Sequence, residues 1–395
     1  MNQRFTIAGT GCCLVDRIYP DIDFSSEQVQ AHISRNKGDG GLYPGRLVFA
    51  EQFESFAGEA LEKVIGKISA GRSAPKLNVG GPSIVSLIHA AQLLQDRPAE
   101  VRFFGTSGDD DPGAYLRQKL EQTPVSLDRL SAGKGATPST IVLSDPNYQD
   151  GHGERMFINT IGAAHHFGPP DLDDSFYGAD IVAFGGTALV PGLHDNLTEL
   201  LKRAKSAGAV TVVNTVYDFR SELERPGQRW SLGQSDESYQ FIDLLVMDRE
   251  EALHLSLTTD LSDAADFFSG SGVSSFIITN GTRDTLAWSD GNLFGSHPLR
   301  GYPVSAALLG DLKSDRNGDT TGCGDNFTGG VLASLAWQMM EAQEKPDLTE
   351  CVAWGTVSGG YCCFHVGGTL IEMEPGEKVE LLRPYYKSYR EQTHG

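Results

Sequence analysis

The feature of the sequence that most constrains its fold is a regular alternation of short apolar runs with longer segments of helical spacing. Residues 180–185, 210–214 and 244–247 are apolar runs of strand length. Residues 196–207 and the segment that begins at Asp248 instead show the spacing of helices. Since parallel strands need a crossover connection, which a helix usually supplies, the alternation predicts an α/β fold with a three-layer, doubly wound and mostly parallel sheet.

Two segments depart from this alternation and predict a small β-rich lid on the main sheet. Residues 21–75 are more polar than their surroundings, and residues from roughly 137 to 166 contain two strand-like runs joined by a polar loop. The remaining ranges, 1–20 and 76–395, are predicted to form the α/β core. An exposed edge of the lid also allows a homodimer through this part of the chain.

The charge balance argues against polyanionic partners. The chain carries 32 Lys and Arg against 52 Asp and Glu, which gives a formal net charge of -20. Such a surface repels nucleic acid and anionic lipid, so neither nucleic acid nor a membrane is expected as a partner. No run reaches the roughly 20 apolar residues that a membrane span requires.

The cysteines and the N-terminus point to a cytoplasmic protein. None of the six cysteines has CxxC spacing, which argues against a structural zinc site and favours free thiols in a reducing compartment. The apolar run that starts at Phe5 is interrupted by Asp16 and Arg17, and a first core strand explains it better than a secretion signal does.

The residues most informative about chemistry are 319–325, DTTGCGD, which precede a helix with an apolar face. Glycines let a backbone approach an anion, and the free N–H groups and dipole at a helix N-terminus attract it. Asp325 falls in the first turn, where a carboxylate can take a proton from a hydroxyl that attacks a phosphoryl group. In the alternative interpretation, Asp319 and Asp325 only cap the helix.

The DTTGCGD string resembles the signature of the PfkB/ribokinase family of sugar and nucleoside kinases, in which a DTxGxGD loop holds the catalytic aspartate. The resemblance extends over nearly the whole chain, because further motifs follow in the family's order. They are Gly80-Gly81 before a helix, residues 105–113 (GTSGDDDPG), Gly162-Ala163-Ala164, residues 244–251 (LLVMDREE) and residues 279–281 (TNG).

The resemblance implies a ribokinase-like fold whose core binds nucleotide and substrate. Asp325 would be the general base of a phosphoryl transfer. Gly322, Cys323 and Gly324 would form an anion hole, whose N–H groups stabilise the charge that develops on the transferring phosphoryl group. The implied cofactors are ATP and Mg²⁺.

The resemblance also assigns binding residues. Asp16, Gly80 and Gly81 would line the site of a sugar-like acceptor. Glu251 would help to order Mg²⁺, since this cation prefers oxygen ligands and keeps several waters. The residues assigned to the nucleotide are Thr279, Gly281, Asp248 and His365.

The sequence departs from the family at three positions where an asparagine is usual: Val85, Ala164 and Asp248. The first two lie toward the sugar and remove amides that would read particular hydroxyls. Asp248 adds a negative charge near the metal. The departures therefore leave open which acceptor and which hydroxyl the protein recognises.

The function predicted from the sequence is ATP- and Mg²⁺-dependent phosphorylation of a hydroxyl on a sugar or sugar-like acceptor. Two alternatives remain open. A nucleoside kinase of the same fold would need an aromatic wall, for which Phe49, Phe53 and Phe157 are candidates. A catalytically silent sensor of nucleotide or sugar would explain the missing amides, although such a protein would not need the aspartate base.

Overall fold

Two β-sheets organise the computed structural model, which describes residues 4–36, 38–148, 153–313, 318–341 and 344–394. The larger sheet contains β1 (Phe5–Gly11), β5 (Ala99–Ser107), β6 (Ser126–Ala132), β9 (Ile181–Gly185), β10 (Val210–Asn214), β11 (Leu244–Asp248), β12 (Ser275–Thr279), β13 (Thr285–Ser289) and β14 (His297–Tyr302). The smaller sheet contains β2 (Leu14–Tyr19), β3 (Leu47–Phe49), β4 (Lys76–Gly80), β7 (Ser139–Asp145) and β8 (Glu154–Thr160).

The larger sheet has the strand order β14-β13-β12-β11-β10-β9-β1-β5-β6. All neighbours from β12 to β6 are parallel, and only the pairs β12–β13 and β13–β14 are antiparallel. The predicted mostly parallel α/β sheet is therefore confirmed.

Helices connect the strands and cover both faces of the larger sheet. Their bounds are α1 Glu27–Gln30, α2 Ala50–Ala57, α3 Leu61–Ile68, α4 Pro82–Leu93, α5 Asp111–Leu120, α6 Asp174–Tyr177, α7 Pro191–His194, α8 Leu197–Ser206, α9 Phe219–Glu224, α10 Arg249–Ser256, α11 Leu261–Gly270, α12 Ala306–Leu312, α13 Cys323–Glu341, α14 Leu348–Cys362 and α15 Glu377–His394. No helix in the described ranges is both long and apolar enough to cross a membrane.

The two faces of the larger sheet belong to different hydrophobic cores. In β1, Ile7 packs in a core with α4, α13 and α14, whereas the next residue, Ala8, packs in a core with α8, α10 and α11. Ile181 and Val182 of β9 divide between the two cores in the same way. Because successive strand side chains point to opposite faces, this alternation produces the three layers.

The smaller sheet, in the order β3-β8-β7-β2-β4, draws on more of the chain than the two predicted lid segments. Strands β2 and β4 belong to it, although their residues fall in the ranges 1–20 and 76–395 that were predicted as core. Residues 21–75 contribute one short strand and the helices α1 to α3, so the regular elements of this segment are mainly helices and not the strands of a β-rich lid. The two strand-like runs near 137–166 do form an antiparallel pair, and residues 149–152 of the loop between them lie outside the described residues.

Candidate active site

The DTTGCGD string forms the tight entry to α13, where Gly322 has φ +74°. A Cβ on Gly322 would lie 2.3 Å from the Cα of Gly368, so the turn requires glycine for both conformation and space. The Nδ2 of Asn326 donates to the carbonyl oxygens of Gly322 at 2.9 Å and Gly368 at 2.7 Å. The entry to α13 is therefore fixed against the Gly367-Gly368 segment.

Asp319 holds the beginning of the same loop. Its Oδ1 accepts hydrogen bonds from the N–H groups of Thr321 at 2.8 Å and Gly367 at 3.3 Å. At Gly324, in contrast, no described atom beyond its chain neighbours and the nearby backbone of α13 lies within 4 Å of the position that a Cβ would occupy. The loop is therefore rigid behind and open in front, as an anion-binding helix N-terminus requires.

Asp325 and Asp16 are both buried, and the charge of Asp325 acts on Asp16. Burial raises the pKa of Asp325 to about 7. Burial also raises the pKa of Asp16 to about 7, with further contributions from the negative charges of Asp325 and Asp319 and an opposing one from Arg155. The structure thus brings the predicted base together with a predicted acceptor-binding carboxylate.

The two predicted glycines make room for Asp16. Asp16 pairs with Asn78 across β2 and β4, and β4 ends at Gly80. A Cβ on Gly80 would lie 2.2 Å from the Oδ2 of Asp16. Gly81, with φ +106°, passes so close to the carbonyl oxygen of Cys12 that a Cβ would lie 2.6 Å from it. Because neither glycine has a side chain, the Asp16 carboxylate can lie against the backbone of Gly80, and the start of α4 can lie against the backbone of Cys12.

Three of the four residues predicted to bind nucleotide line one cleft. Asp248, Thr279 and Gly281 surround an open cleft of about 720 Å³ at the ends of β11 and β12. His365 is not among the residues that line it. Its carbonyl oxygen accepts a hydrogen bond of 2.9 Å from the N–H of Asp319, and the residue belongs to the support of the DTTGCGD loop.

Glu251 is buried and serves as a helix cap. Its Oε2 accepts hydrogen bonds from the N–H of Asp248 at 2.9 Å and the hydroxyl of Thr215 at 2.6 Å. Asp248 completes a capping box by accepting from the N–H of Glu251 at 2.8 Å, which an asparagine at that position could also do. Burial, then the charge of Asp248 and more weakly that of Asp325, raise the pKa of Glu251 to about 8.

This excess of negative charge fits a divalent cation. Within the described residues, no group of three or more His, Cys, Asp and Glu side chains is arranged to hold a metal ion by itself. A cation that takes most of its ligands from phosphate oxygens and water needs no such group. The buried carboxylate of Glu251, with Asp248 and Asp325 acting on it, suits that mode of binding.

Arg155 contacts the candidate site, although it was not among the residues predicted from the sequence. It lies on β8 of the smaller sheet, and its Nη1 donates to the hydroxyl of Thr321 in the DTTGCGD loop at 2.9 Å. Its positive charge lowers the pKa of Asp16, against the larger effect of burial. The only sign of this contact in the sequence is the charged Arg155 side chain within the strand-like run 154–159. Its hydrogen-bond partner, Thr321, becomes evident only from the position of the smaller sheet in the fold.

The departures from the usual asparagines leave apolar positions. The side chain of Val85 on α4 packs near Gly368, with Cγ1 3.3 Å from the position of a Cβ there. Ala164 is buried in the core on the α8 side of the sheet. Neither position supplies a hydrogen-bonding side chain to the site.

We expect Asp16→Asn to raise the melting temperature at pH 8 by at least ~2 °C, and by less at pH 5. A carboxyl whose pKa is raised on folding contributes stability that is present below the unfolded pKa and lost as pH rises through the folded value, here about 7. The amide has no charge to bury. Thermal unfolding at both pH values tests this, with Asp266→Asn, an exposed carboxylate of α11, as the control. An equal shift at both pH values would contradict it.

Comparisons with known proteins identify the family to which this α/β fold and its DTTGCGD loop belong. Residues 72–374 match the sequence profile described as pfkB family carbohydrate kinase. This match covers more than half of the chain, and the protein belongs to the pfkB family of carbohydrate kinases.

The relatives and structural neighbours include both sugar and nucleoside kinases. A fructokinase of Vibrio alginolyticus is 24% identical over 272 residues, which are 67% of this chain and 80% of the relative. An adenosine kinase of Saccharomyces cerevisiae is 26% identical over 275 residues, 66% of this chain and 72% of the relative. The solved structure of adenosine kinase from Sinorhizobium meliloti superposes with a TM-score of 0.69 at 18% identity, covering 96% of this chain and 100% of its own. The solved structure of ribokinase from Arabidopsis thaliana, complexed with ribose and ATP, superposes with a TM-score of 0.65 at 17% identity. This superposition covers 98% of this chain and 99% of the ribokinase chain.

Proposed function

We propose that the protein transfers the γ-phosphoryl group of ATP to a hydroxyl of a sugar or sugar-like acceptor, in a reaction that requires Mg²⁺. The observation that carries the proposal is the position of Asp325 in the first turn of α13, beside the open Gly322–Gly324 loop and close enough to Asp16 for the two charges to interact. This arrangement puts a proton acceptor, an anion site and a hydroxyl-binding carboxylate in one place.

In the proposed mechanism Asp16 accepts hydrogen bonds from acceptor hydroxyls and orients the one that reacts. Asp325 takes the proton of that hydroxyl, for which a pKa of about 7 is well matched at neutral pH. The N–H groups at the start of α13 stabilise the charge on the phosphoryl oxygens, and this preorganised contact is a large term in catalysis.

The proposed nucleotide site is the cleft of about 720 Å³ lined by Asp248, Thr279 and Gly281. It is open, it lies at the carboxyl ends of β11 and β12, and ligands of parallel α/β sheets characteristically bind at such edges. The complex of ribokinase with ribose and ATP supports ATP as the donor. His365 does not line this cleft, and its carbonyl oxygen supports the DTTGCGD loop.

Glu251 would hold Mg²⁺ through water, and a bound Mg²⁺ would neutralise charge on the phosphate oxygens. We expect Glu251→Gln to raise the Mg²⁺ concentration that gives half-maximal rate by about 10-fold. This is the loss of metal affinity that follows when a residue that holds a metal indirectly is replaced. The amide oxygen can still accept the hydrogen bonds that cap α10, so stability should change little. Rates measured against free Mg²⁺ at saturating ATP test this, with Glu199→Gln, an exposed carboxylate at the same third position of α8, as the control. An unchanged requirement would leave Glu251 as a helix cap only.

The smaller sheet is proposed to close over the acceptor and exclude water, which disfavours hydrolysis of ATP. Arg155 supports this role because it reaches from β8 to Thr321 of the catalytic loop. When the smaller sheet closes over the acceptor, the Arg155 guanidinium would move with it. The bond between the two parts of the site thus couples the lid to the loop that binds the phosphoryl group.

A nucleoside acceptor is the second candidate, favoured by the adenosine kinases among the relatives and neighbours. Of the aromatic residues proposed for a stacking wall, Phe53 is fully buried in the core of the smaller sheet and cannot stack on a ligand. Phe157 is partly exposed and has the Arg155 guanidinium 5.8 Å from its ring centroid. An aromatic ring beside a cation could contact either a nucleobase or a sugar.

Release of ADP from MgATP, measured across hexoses, pentoses, sugar acids and nucleosides, tests the proposed function. Reactions without acceptor measure background hydrolysis. A Mg²⁺-dependent signal with a sugar supports the first candidate, and a signal with nucleosides alone supports the second. Binding of ATP without turnover on any acceptor would favour the catalytically silent sensor.

A further inference from the structure

Three thiols converge behind the proposed anion hole. Cys323 is the first residue of α13, Cys362 is the last of α14, and Cys363 caps α14. The sulfur atoms of Cys323 and Cys363 lie 3.3 Å apart. All six cysteines, each within the described ranges, are free thiols. The Cys323–Cys363 pair thus joins two helices at the loop on which phosphoryl binding would depend.

We propose that Cys323 and Cys363 form an oxidisable dithiol that a hydroperoxide converts to a disulfide. The Cys363 thiolate attacks one oxygen of the hydroperoxide, the O–O bond breaks, and a sulfenic acid forms on Cys363 as water or an alcohol leaves. The sulfur of Cys323 then attacks the sulfenic sulfur, and the S–O bond breaks with loss of a second water. Two thiols are oxidised by two electrons, and the peroxide is reduced by the same two.

The surroundings of the pair favour reaction at Cys363. Its side chain is partly exposed, and the S–H of Cys323 stabilises its thiolate, which lowers the pKa of Cys363 to about 7. Burial instead raises the pKa of Cys351 to about 12 and raises those of Cys12 and Cys13 as well. Because the thiolate is the nucleophile, an oxidant should select Cys363 from these thiols.

Cys362 is placed for a different role. It is buried, its S–H donates to the carbonyl oxygen of Thr321 at 3.3 Å, and its sulfur accepts from Nδ2 of Asn326 at 3.4 Å. These contacts hold the catalytic loop in place. The side chain of Cys323 also interacts with that of Cys362, but the S–H of Cys362 is engaged with the loop backbone, so we expect Cys363 to be the disulfide partner of Cys323.

The consequence for catalysis rests on the proposed function. A disulfide requires a sulfur separation of about 2.0 Å, so the two sulfurs must approach by more than 1 Å from their separation of 3.3 Å. The backbone of Cys323 lies between the two glycines of the anion hole and would move with its side chain. Since a displacement of about 1 Å at a reacting site can cost about 10²-fold, we expect oxidation to lower kcat by roughly 10- to 100-fold.

The test treats the purified protein with hydrogen peroxide, blocks the remaining thiols, and searches protease digests by mass spectrometry for a peptide pair joined through Cys323 and Cys363. We expect this link in the wild-type protein and its loss on treatment with dithiothreitol. Detecting the link needs no kinase assay, so failure of the proposed function and failure of the dithiol are distinguishable.

Two variants complete the test. Cys363→Ser should retain basal turnover, form no link, and resist the inhibition, whereas Cys351→Ala should form the link as the wild type does. Should Cys363→Ser fold poorly, fragmentation of the linked wild-type peptides still identifies the partner of Cys323. A link from Cys323 to Cys362, oxidation of Cys363 to sulfinic acid without a link, or equal inhibition of Cys363→Ser would overturn the proposal.

Discussion

We expect Asp325→Asn to lower kcat at least ~10²-fold while leaving the affinity for ATP nearly unchanged, the scale of a positioned general base. Asparagine keeps the shape and the polar atoms at the start of α13 but cannot take a proton from the acceptor hydroxyl. The nucleotide cleft is lined by Asp248, Thr279 and Gly281 and not by Asp325, so the affinity for ATP should change only modestly. Turnover with saturating ATP and acceptor, together with ATP binding by calorimetry, measures both quantities.

The control for this variant must separate a base from a helix cap. Asp263 occupies the same third position of α11 that Asp325 occupies in α13, but it is exposed to solvent. Asp263→Asn loses the same favourable interaction with a helix dipole and should not alter kcat. Near-normal turnover in Asp325→Asn would remove Asp325 from the mechanism and support the capping interpretation.

The second large effect is expected for Gly322→Ala, with a loss of about 10²- to 10³-fold in kcat, the range for removing a donor from an oxyanion hole. An alanine here meets two obstacles. The backbone has φ +74°, and the new Cβ would lie 2.3 Å from the Cα of Gly368, a backbone atom that cannot swing aside. The turn must therefore open, which moves the N–H groups that follow it. Kinetics of the folded variant measure the effect.

Gly208→Ala is the matched control for the glycine. Gly208 has φ +90°, but no described atom lies within 4 Å of the position of its Cβ. The control thus carries the conformational strain without the collision and without proximity to the site. Loss of kcat in folded Gly322→Ala, with kcat retained in Gly208→Ala, supports the anion hole. Full activity of Gly322→Ala would show that the turn does not position catalytic donors.

The larger sheet and the catalytic loop could be predicted from local sequence. Apolar runs such as 181–185 and 244–247 are buried on both faces of a parallel sheet, and that burial leaves a direct trace in the residues. The DTTGCGD string could likewise be identified because its glycines satisfy local requirements of a turn at a helix start. Asp325 and Asp16 were both predicted as site residues from motifs, and the structure places them within range of each other's charge.

The assignment of strands to the smaller sheet could not be predicted in the same way. Strand β2 follows β1 after only Cys12 and Cys13, and its residues Leu14–Tyr19 have no property that separates them from a core strand. Which sheet such a strand joins depends on partners distant in sequence, here β4 and β7. The hydrogen bond from Arg155 to Thr321 depends on the position of the smaller sheet against the rest of the fold, so it could not be predicted from the sequence.

The prediction for His365 shows a different limit. Its position after the last core helix, near two glycines, favoured a contact with nucleotide. In the fold this segment supports the DTTGCGD loop, through the hydrogen bond from the N–H of Asp319 to the carbonyl oxygen of His365, and the contact with nucleotide stays a prediction. Both roles place a residue within the site region, and sequence position does not distinguish a residue that lines a cleft from one that braces a loop.

The measurement that tests the central claim most directly is identification of the product by mass spectrometry and phosphorus NMR after incubation with MgATP and each acceptor of the panel. We predict one acceptor that gains a single phosphoryl group on a hydroxyl oxygen, with ADP formed in equal amount and product formed at least ~10²-fold more slowly by Asp325→Asn. ADP formed without a phosphorylated acceptor, or the same product formed at a near-normal rate by Asp325→Asn, would contradict phosphoryl transfer by this aspartate.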